Sequence, residues 1–245
     1  MANPLYDNLI SKHSNKNTCF LEQSGKAAVS FFQFSERTSQ VANLLVKYGL
    51  QPGDRVAVQA AKTIEIIILY AATIQAGGVF LSLNTDYKKD EVTYFLKDAE
   101  PRIFVCDPYK VEDLKNVASQ VGSKILTADA HGKGSLLSEA NLMSKIFNTV
   151  DRKPDDLAAL LYTSGTTGRS KGAMLTQNNL LSNAKTLKKL WQVTKSDILI
   201  HALPIFHTHG LFVALNTAML AGAKVNFIPK FDIDEIIETL HASTL

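Results

Sequence analysis

Glycine, hydroxyl residues and a lysine are concentrated in one stretch near the middle of the chain, residues 162–172. Three glycines permit positive φ and close backbone approach, so that successive N–H groups can converge on an anion. They are Gly165, Gly168 and Gly172. Four hydroxyl side chains add donors, namely Thr163, Ser164, Thr166 and Thr167. Lys171 adds one mobile positive charge, so the stretch predicts a phosphate-binding loop.

Other interpretations of this stretch are less favourable. Glycine, serine and threonine are ordinary turn residues, but a surface hairpin of two to five residues would need far fewer of them. A Walker loop requires Gly-Lys-Ser/Thr at its end, whereas here Ser170 precedes Lys171 and Gly172 follows it. The absence of Gly-x-Gly-x-x-Gly also weakens a dinucleotide-binding interpretation.

Three of the six histidines lie close together, between a predicted strand and a predicted helix. They are His201, His207 and His209. Histidines two residues apart suggest a metal site, yet no nearby acidic or cysteine residue completes one. The alternative is that backbone groups of the loop satisfy these imidazoles.

The surrounding pattern alternates strands with helices. Apolar runs predict strands at residues 55–59, 79–83, 102–106, 124–127, 157–162, 198–203 and 224–228, with an extended run at 172–176. Helical spacing predicts helices at 5–10, 64–76, 91–97, 111–121, 136–147, 177–190, 211–220 and 233–240, and one capped by Ser35 and ended by Gly49. Residues 27–34 read as β-rich and 151–156 as a linker. This alternation predicts an α/β fold with a parallel sheet, whose ligands lie beyond the carboxyl ends of the strands.

Composition is typical of a globular protein with a sizeable core: 245 residues, 46% hydrophobic and 20% charged. A net charge of +3, with both signs interspersed, does not suggest a nucleic-acid partner. Cys19 and Cys106 form no motif, so a reducing compartment, the cytoplasm, is expected. Neither a secretory signal nor a membrane-spanning run is recognisable.

The motif Tyr162-Thr-Ser-Gly-Thr-Thr-Gly-Arg-Ser-Lys-Gly172 resembles the signature loop of the adenylate-forming enzymes, which include acyl-CoA synthetases, luciferase and adenylation domains. Leu203-Pro-Ile-Phe-His-Thr-His-Gly-Leu211 is similar to the segment of acyl-CoA synthetases that lines the acyl pocket and borders the nucleotide. Within this superfamily the chain looks most like the malonyl-CoA synthetases, over residues 39–45, 77–84, 155–162 and 201–214.

The resemblance implies layered, mostly parallel sheets flanked by helices, and a two-step reaction on small molecules. A carboxylate attacks the α-phosphorus of ATP, pyrophosphate leaves, and the thiol of coenzyme A captures the acyl-adenylate. Lys171 and His207 are the expected catalytic residues, and Thr166 the expected Mg²⁺ ligand. His207, with His209 as the alternate, suits a dicarboxylate because an imidazole can donate to the distal carboxylate. Removing one donor that stabilises the transition state typically costs 10²-fold or more in rate, about 2.7 kcal/mol.

Alternatives remain open within and outside this class. A ligase for another short acid, such as methylmalonate or acetate, would share the same motifs, and a non-catalytic nucleotide-binding or interaction module would need only the loop. Motifs that the resemblance implies downstream are not found before Leu245. Residues 1–245 are therefore expected to be a fragment of the large N-terminal ATP- and acyl-binding domain, without its remainder and without the small C-terminal domain. Such a fragment is expected to be inactive alone and to bind ATP weakly.

Overall fold

Two sheets organise the part of the chain that this computed structural model describes, residues 3–163 and 170–243; for Thr163 and Ser243 only the backbone is described. The strands are β1 (Cys19–Glu22), β2 (Val29–Ser30), β3 (Arg55–Gln59), β4 (Val79–Ser82), β5 (Ile103–Cys106), β6 (Lys124–Thr127), β7 (Leu157–Thr163), β8 (Lys171–Thr176), β9 (Ile198–His201) and β10 (Lys224–Phe227). One sheet has the order β2-β1-β10-β9 and the other β6-β5-β3-β4-β7-β8. All neighbours are parallel except the pairs β1–β2 and β7–β8.

Helices cover these sheets. They are α1 (Pro4–Leu9), α2 (Phe31–Lys47), α3 (Ile64–Gln75), α4 (Lys89–Ala99), α5 (Val111–Gln120), α6 (Ser135–Ala140), α7 (Gln177–Leu190), α8 (Asn216–Ala221) and α9 (Ile233–Ser243). A π-helical turn, His209–Leu215, leads directly into α8. The predicted class, mostly parallel α/β layers flanked by helices, is confirmed.

Helix α3 is buried along nearly its whole length. Thr63 caps it by accepting a hydrogen bond from Ile66 N, and the residues that follow are mostly apolar and are buried on every side except at Glu65. A helix without a polar face must be enclosed by protein. It belongs to a core cluster that also includes Phe80 of β4 and Val225 of β10, one from each sheet. The two sheets therefore share one hydrophobic core.

The start of α2 differs from the prediction. Ser30 Oγ accepts from Gln33 N at 3.2 Å, and Gln33 Oε1 accepts from Ser30 N at 2.9 Å, which is a capping box. Ser35 lies inside the helix, so its predicted role as cap is wrong. Residues 27–34 look β-rich because aromatic residues favour strands, but Phe34 belongs to the buried stripe of the helix.

Other boundaries shift by a few residues. The helix predicted at 136–147 ends at Ala140, the strand predicted at 198–203 ends at His201, and the helix predicted at 211–220 is π-helical up to Leu215. Within the described ranges no helix combines the length and apolar character needed to cross a bilayer.

Candidate functional site

The predicted phosphate loop joins two antiparallel strands. β7 and β8 pair in register up to Thr163 and Lys171, so the residues between them connect a hairpin. The alternative to a phosphate-binding loop was a surface hairpin. The antiparallel pairing of β7 with β8 agrees with a hairpin as far as these two strands are concerned. The predicted ligands Ser164, Gly165, Thr166, Thr167 and Gly168 lie outside the described residues, and Thr163 is described only as a strand position.

Lys171 and Gly172 open β8 on the far side of the connection. The side chain of Lys171 is exposed, as a residue that meets a soluble anion must be. Gly172 is not among the glycines with positive φ, and a Cβ added to it would lie 3.6 Å from Tyr162 Cε1, an ordinary contact. The conformational role predicted for Gly172 is therefore wrong: it is an extended strand residue.

Helix α4 holds both ends of the connection. Tyr162 Oη donates to Asp98 Oδ2 at 2.5 Å, and Tyr94 Oη donates to the carbonyl of Ser170 at 3.1 Å. The ring of Phe95 packs 4.4 Å from that of Tyr162. Burial and the Asp98 hydrogen bond raise the pKa of Tyr162, which keeps the phenol protonated. Sequence patterns did not indicate this anchoring, because α4 lies far from the loop along the chain.

Of the three clustered histidines, His201 is structural. It is 1% exposed, and its Nε2 donates to the carbonyl of Gly210 at 2.8 Å, which identifies the tautomer protonated at Nε2. Its ring is parallel to that of Phe227 with the centroids 6.3 Å apart. Burial and the neighbouring Lys62 lower the pKa of His201 to about 4, so the imidazole is neutral. The alternative that loop backbone satisfies a histidine is thus confirmed for Nε2 of His201, whereas its Nδ1 is buried without a hydrogen-bond partner.

The hydrogen bond from His201 to Gly210 closes the loop that carries His207 and His209. A Cβ at Gly210 would lie 2.1 Å from the carbonyl oxygen of Pro204, so the loop needs glycine there. His207 and His209 are both exposed between these closure points. The described residues contain no group of three or more His, Cys, Asp or Glu side chains able to hold a metal.

The β7–β8 hairpin and the loop that carries His207 and His209, here called the histidine loop, are both connected to one end of the six-stranded sheet. β4 and β7 are parallel neighbours, so Ser82 and Thr163 end at the same edge of the sheet. Ser82 Oγ donates to the carbonyl of Ile205 at 3.4 Å, which ties the histidine loop to that edge. The structure therefore brings Ile205 of the histidine loop to the carboxyl end of β4, the neighbour of the strand that precedes the predicted phosphate-binding residues.

A cavity of about 570 Å³ lies at this edge. Its walls come from the segments that follow β3, β4, β5, β9 and β10, the place where ligands bind in folds of this kind. Three lysines line it, against one aspartate: Lys62, Lys110, Lys230 and Asp107. Sequence patterns indicated none of the four, since none belongs to a motif; the available signal was Lys62, which lies three residues after an apolar strand.

Lys62 reaches across from one sheet to the other. Its Nζ donates to the carbonyls of His201, at 2.8 Å, and Ile228, at 2.6 Å, and lies 4.6 Å from the centroid of the Phe227 ring. Burial lowers the pKa of Lys62 to about 7, although the carboxylate of Glu235 acts in the opposite direction.

Comparison with known proteins adds evidence of a different kind. A family model described as AMP-binding enzyme matches residues 10–244. Apo and ATP-bound crystal structures of MatB from Rhodopseudomonas palustris superpose on this chain with a TM-score of 0.95 and 48% identity, covering 98% of this chain and 48% of MatB.

An oxalate–CoA ligase from Arabidopsis thaliana is 33% identical over 226 residues, which are 90% of this chain and 44% of that protein. A malonate–CoA ligase from the same plant is 28% identical over 191 residues, 77% of this chain and 31% of that protein. The chain spans less than half the length of each of these relatives.

Proposed function

The chain belongs to the AMP-binding enzyme family, and on that premise we propose that it is the ATP- and acid-binding portion of an ATP-dependent malonate–CoA ligase. The observation that supports the proposal is the loop closed by the hydrogen bond from His201 to Gly210. This loop carries the exposed His207, and its Ile205 is bonded to Ser82 at the end of β4, the neighbour of β7. The 48% identity with MatB, which has been crystallised with ATP, supports the ATP-binding part, and the relative named malonate–CoA ligase supports malonate as the acid.

The reaction requires positioning and charge neutralisation more than a strong base. The malonate carboxylate attacks the α-phosphorus of ATP, pyrophosphate departs, and the thiol of coenzyme A then displaces AMP from the acyl-adenylate. In the proposal, Lys171 neutralises charge on the phosphates. The hydroxyls and backbone amides of the connection donate to the phosphate oxygens; these ligands are Thr163, Ser164, Gly165, Thr166, Thr167 and Gly168.

A Mg²⁺ ion would neutralise further phosphate charge when it is bound with ATP. Mg²⁺ usually takes most of its ligands from phosphates and water and only one or two from protein. The hydroxyl of Thr166 suits that demand as the proposed protein ligand, and its support is the sequence motif alone. The described residues would then contribute to Mg²⁺ binding only by holding β7 and β8, the strands that flank the connection containing Thr166.

His207 is proposed to recognise the acid, with His209 as the alternate. A neutral or protonated imidazole can donate to the distal carboxylate of malonate, a group that a monocarboxylate lacks. The exposure of both rings leaves them accessible to a small acid. Oxalate is a second candidate substrate, because a relative named oxalate–CoA ligase is 33% identical. Methylmalonate and acetate remain the other short-acid alternatives.

The proposal places the protein in a reducing compartment such as the cytoplasm, in agreement with two free thiols at Cys19 and Cys106. Its proposed partners are small molecules: a short dicarboxylate, ATP and coenzyme A. The alternative that is not an enzyme is a non-catalytic module that binds a nucleotide.

Pyrophosphate release tests the reaction, using the protein encoded by the whole reading frame that contains this chain. We expect release to be fastest with malonate, and Lys171→Ala to lower its rate 10²-fold or more, about 2.7 kcal/mol. Lys185→Ala on α7 is the matched control and should have no effect. His207→Ala should reduce turnover of malonate more than that of acetate. Faster release with oxalate, methylmalonate or acetate would reassign the substrate, and no release with any acid would favour the module.

Calorimetry on the 245-residue chain tests the binding part separately. We expect weak ATP binding that Lys171→Ala weakens further. Tight, Mg²⁺-dependent binding would show that residues 1–245 already contain the main ATP contacts, contrary to the expectation of a partial site.

A further inference from the structure

Lys62 combines three properties that the proposed reaction does not use. It lines the cavity of about 570 Å³, it is largely withdrawn from water, and both of its observed hydrogen bonds go to main-chain carbonyls, those of His201 and Ile228. The two carbonyls carry no full counter-charge, and the effect of burial, which favours the neutral amine, exceeds the opposing effect of the Glu235 carboxylate.

A neutral amine in this position is a competent nucleophile. Its nitrogen has two N–H groups, which the two carbonyls can accept, and one lone pair that neither carbonyl can use. Desolvated lysines of this kind form covalent bonds with carbonyl compounds in other proteins. A cavity of about 570 Å³ is within the range of small-molecule sites and admits a short acyl group.

We propose that Lys62 is an acylation site, whose amine accepts the acyl group of an acyl thioester that enters the cavity. The inference rests on the proposed function, which makes such a thioester. The amine attacks the thioester carbonyl, the N–C bond forms, the C–S bond breaks, and the departing thiolate takes up the proton lost by the nitrogen. The products are an amide on Lys62 and free coenzyme A, with no change of oxidation state.

Acylation would break the link between the two sheets. The amide nitrogen has one N–H, so it can serve only one of the two carbonyls. One of the carbonyls belongs to His201, the residue that closes the histidine loop. The product of the reaction would thus loosen the support of its own acid-binding loop.

Competitive labelling of the wild-type 245-residue chain with trace acetic anhydride measures the amine without assuming any activity. At pH 7.5 an amine with a pKa of about 7 is roughly three-quarters neutral, and an ordinary lysine, with a pKa of about 10.4, only about 0.1%. Lower basicity reduces intrinsic nucleophilicity, by about 30-fold if the Brønsted coefficient of thiols applies. We therefore expect Lys62 to react about 20-fold faster than the lysine of a reference peptide in the same tube, before any loss from limited access.

The change of this rate ratio with pH does not depend on access, because limited access lowers the rate of Lys62 by the same factor at each pH. Between pH 7.5 and pH 10 the rate of Lys62 relative to the reference peptide should fall about 170-fold, because the neutral fraction of the ordinary lysine rises more than 200-fold and that of Lys62 only about 1.3-fold. A constant ratio would show that Lys62 is an ordinary lysine and would overturn the proposal.

Incubation of the same chain with acetyl-CoA or malonyl-CoA tests the acyl transfer itself, with peptide mass spectrometry as the readout. Lys230 lines the same cavity and is the positional control. We expect the acyl mass on Lys62 in preference to Lys230, and no preferential site in Lys62→Arg. Equal labelling of the two lysines, or selective anhydride labelling without thioester labelling, would refute the acylation site and leave the ligase proposal untouched. Acylation of Lys62 in a protein that releases no pyrophosphate would support the site and count against the ligase.

Discussion

Gly210→Ala is the substitution for which the structure predicts the largest effect at the histidine loop. An added Cβ would lie 2.1 Å from the carbonyl oxygen of Pro204 and 2.9 Å from its carbonyl carbon. Both are backbone atoms, so no side-chain rotation can relieve the clash. The loop must open, and the hydrogen bond from the buried His201 to Gly210 is stretched or lost.

The expected cost follows from these two effects. Overpacking costs about 1–3 kcal/mol, and a lost hydrogen bond adds about 1 kcal/mol. The sum, about 2–4 kcal/mol, corresponds to a fall of roughly 4–16 °C in melting temperature for a domain of this size. Gly172→Ala is the matched control, because its Cβ would meet Tyr162 at 3.6 Å, an ordinary contact. Removing glycine from an extended strand should leave stability unchanged or raise it by up to about 1 kcal/mol.

Thermal unfolding followed by circular dichroism measures both variants, and the imidazole NMR signals of His201 report on the loop. We expect Gly210→Ala to melt well below Gly172→Ala and to shift the His201 signals. If the two variants melt together, with the His201 signals unchanged, the close approach to Pro204 does not exist and the described closure of the loop is wrong.

Two other predictions concern pH and the anchoring of the hairpin. His201 has a folded-state pKa of about 4, below its unfolded value of about 6.5, so the unfolded chain binds more protons between these values. His201 should therefore lower the free energy of unfolding by on the order of 2–3 kcal/mol between pH 6.5 and pH 4. Burial lowers the pKa of His13 to about 4 as well, so in denaturant titrations His201→Asn should remove only the part of the fall that His201 contributes. Tyr162→Phe removes the hydrogen bond to Asp98 and should cost about 0.5–1.5 kcal/mol, measured by urea unfolding, whereas Tyr109→Phe, at an exposed tyrosine, should cost nothing measurable.

Prediction from sequence succeeded where local pattern is sufficient. The apolar run of α3, ended by two glycines, is a helix because no other element buries such a run so completely. The alternation of strands and helices led to the parallel sheets, and the motif of residues 162–172 led to the family. It failed where two local signals compete, as at Ser30 and Ser35, either of which can cap a helix.

In the candidate site, too, local sequence indicated some features and only the tertiary structure decided others. Sequence patterns singled out the histidine cluster and the loop with Lys171, because both are contiguous, and the family resemblance selected His207; neither indicated that His201 is buried. Its environment depends on Phe227 and Gly210, which reach His201 only after the chain has folded. Hydrogen bonding and burial arise between segments that are distant in sequence. For the same reason the position of Lys62, bound to the carbonyls of His201 in β9 and of Ile228 just after β10, was decided by the tertiary structure alone.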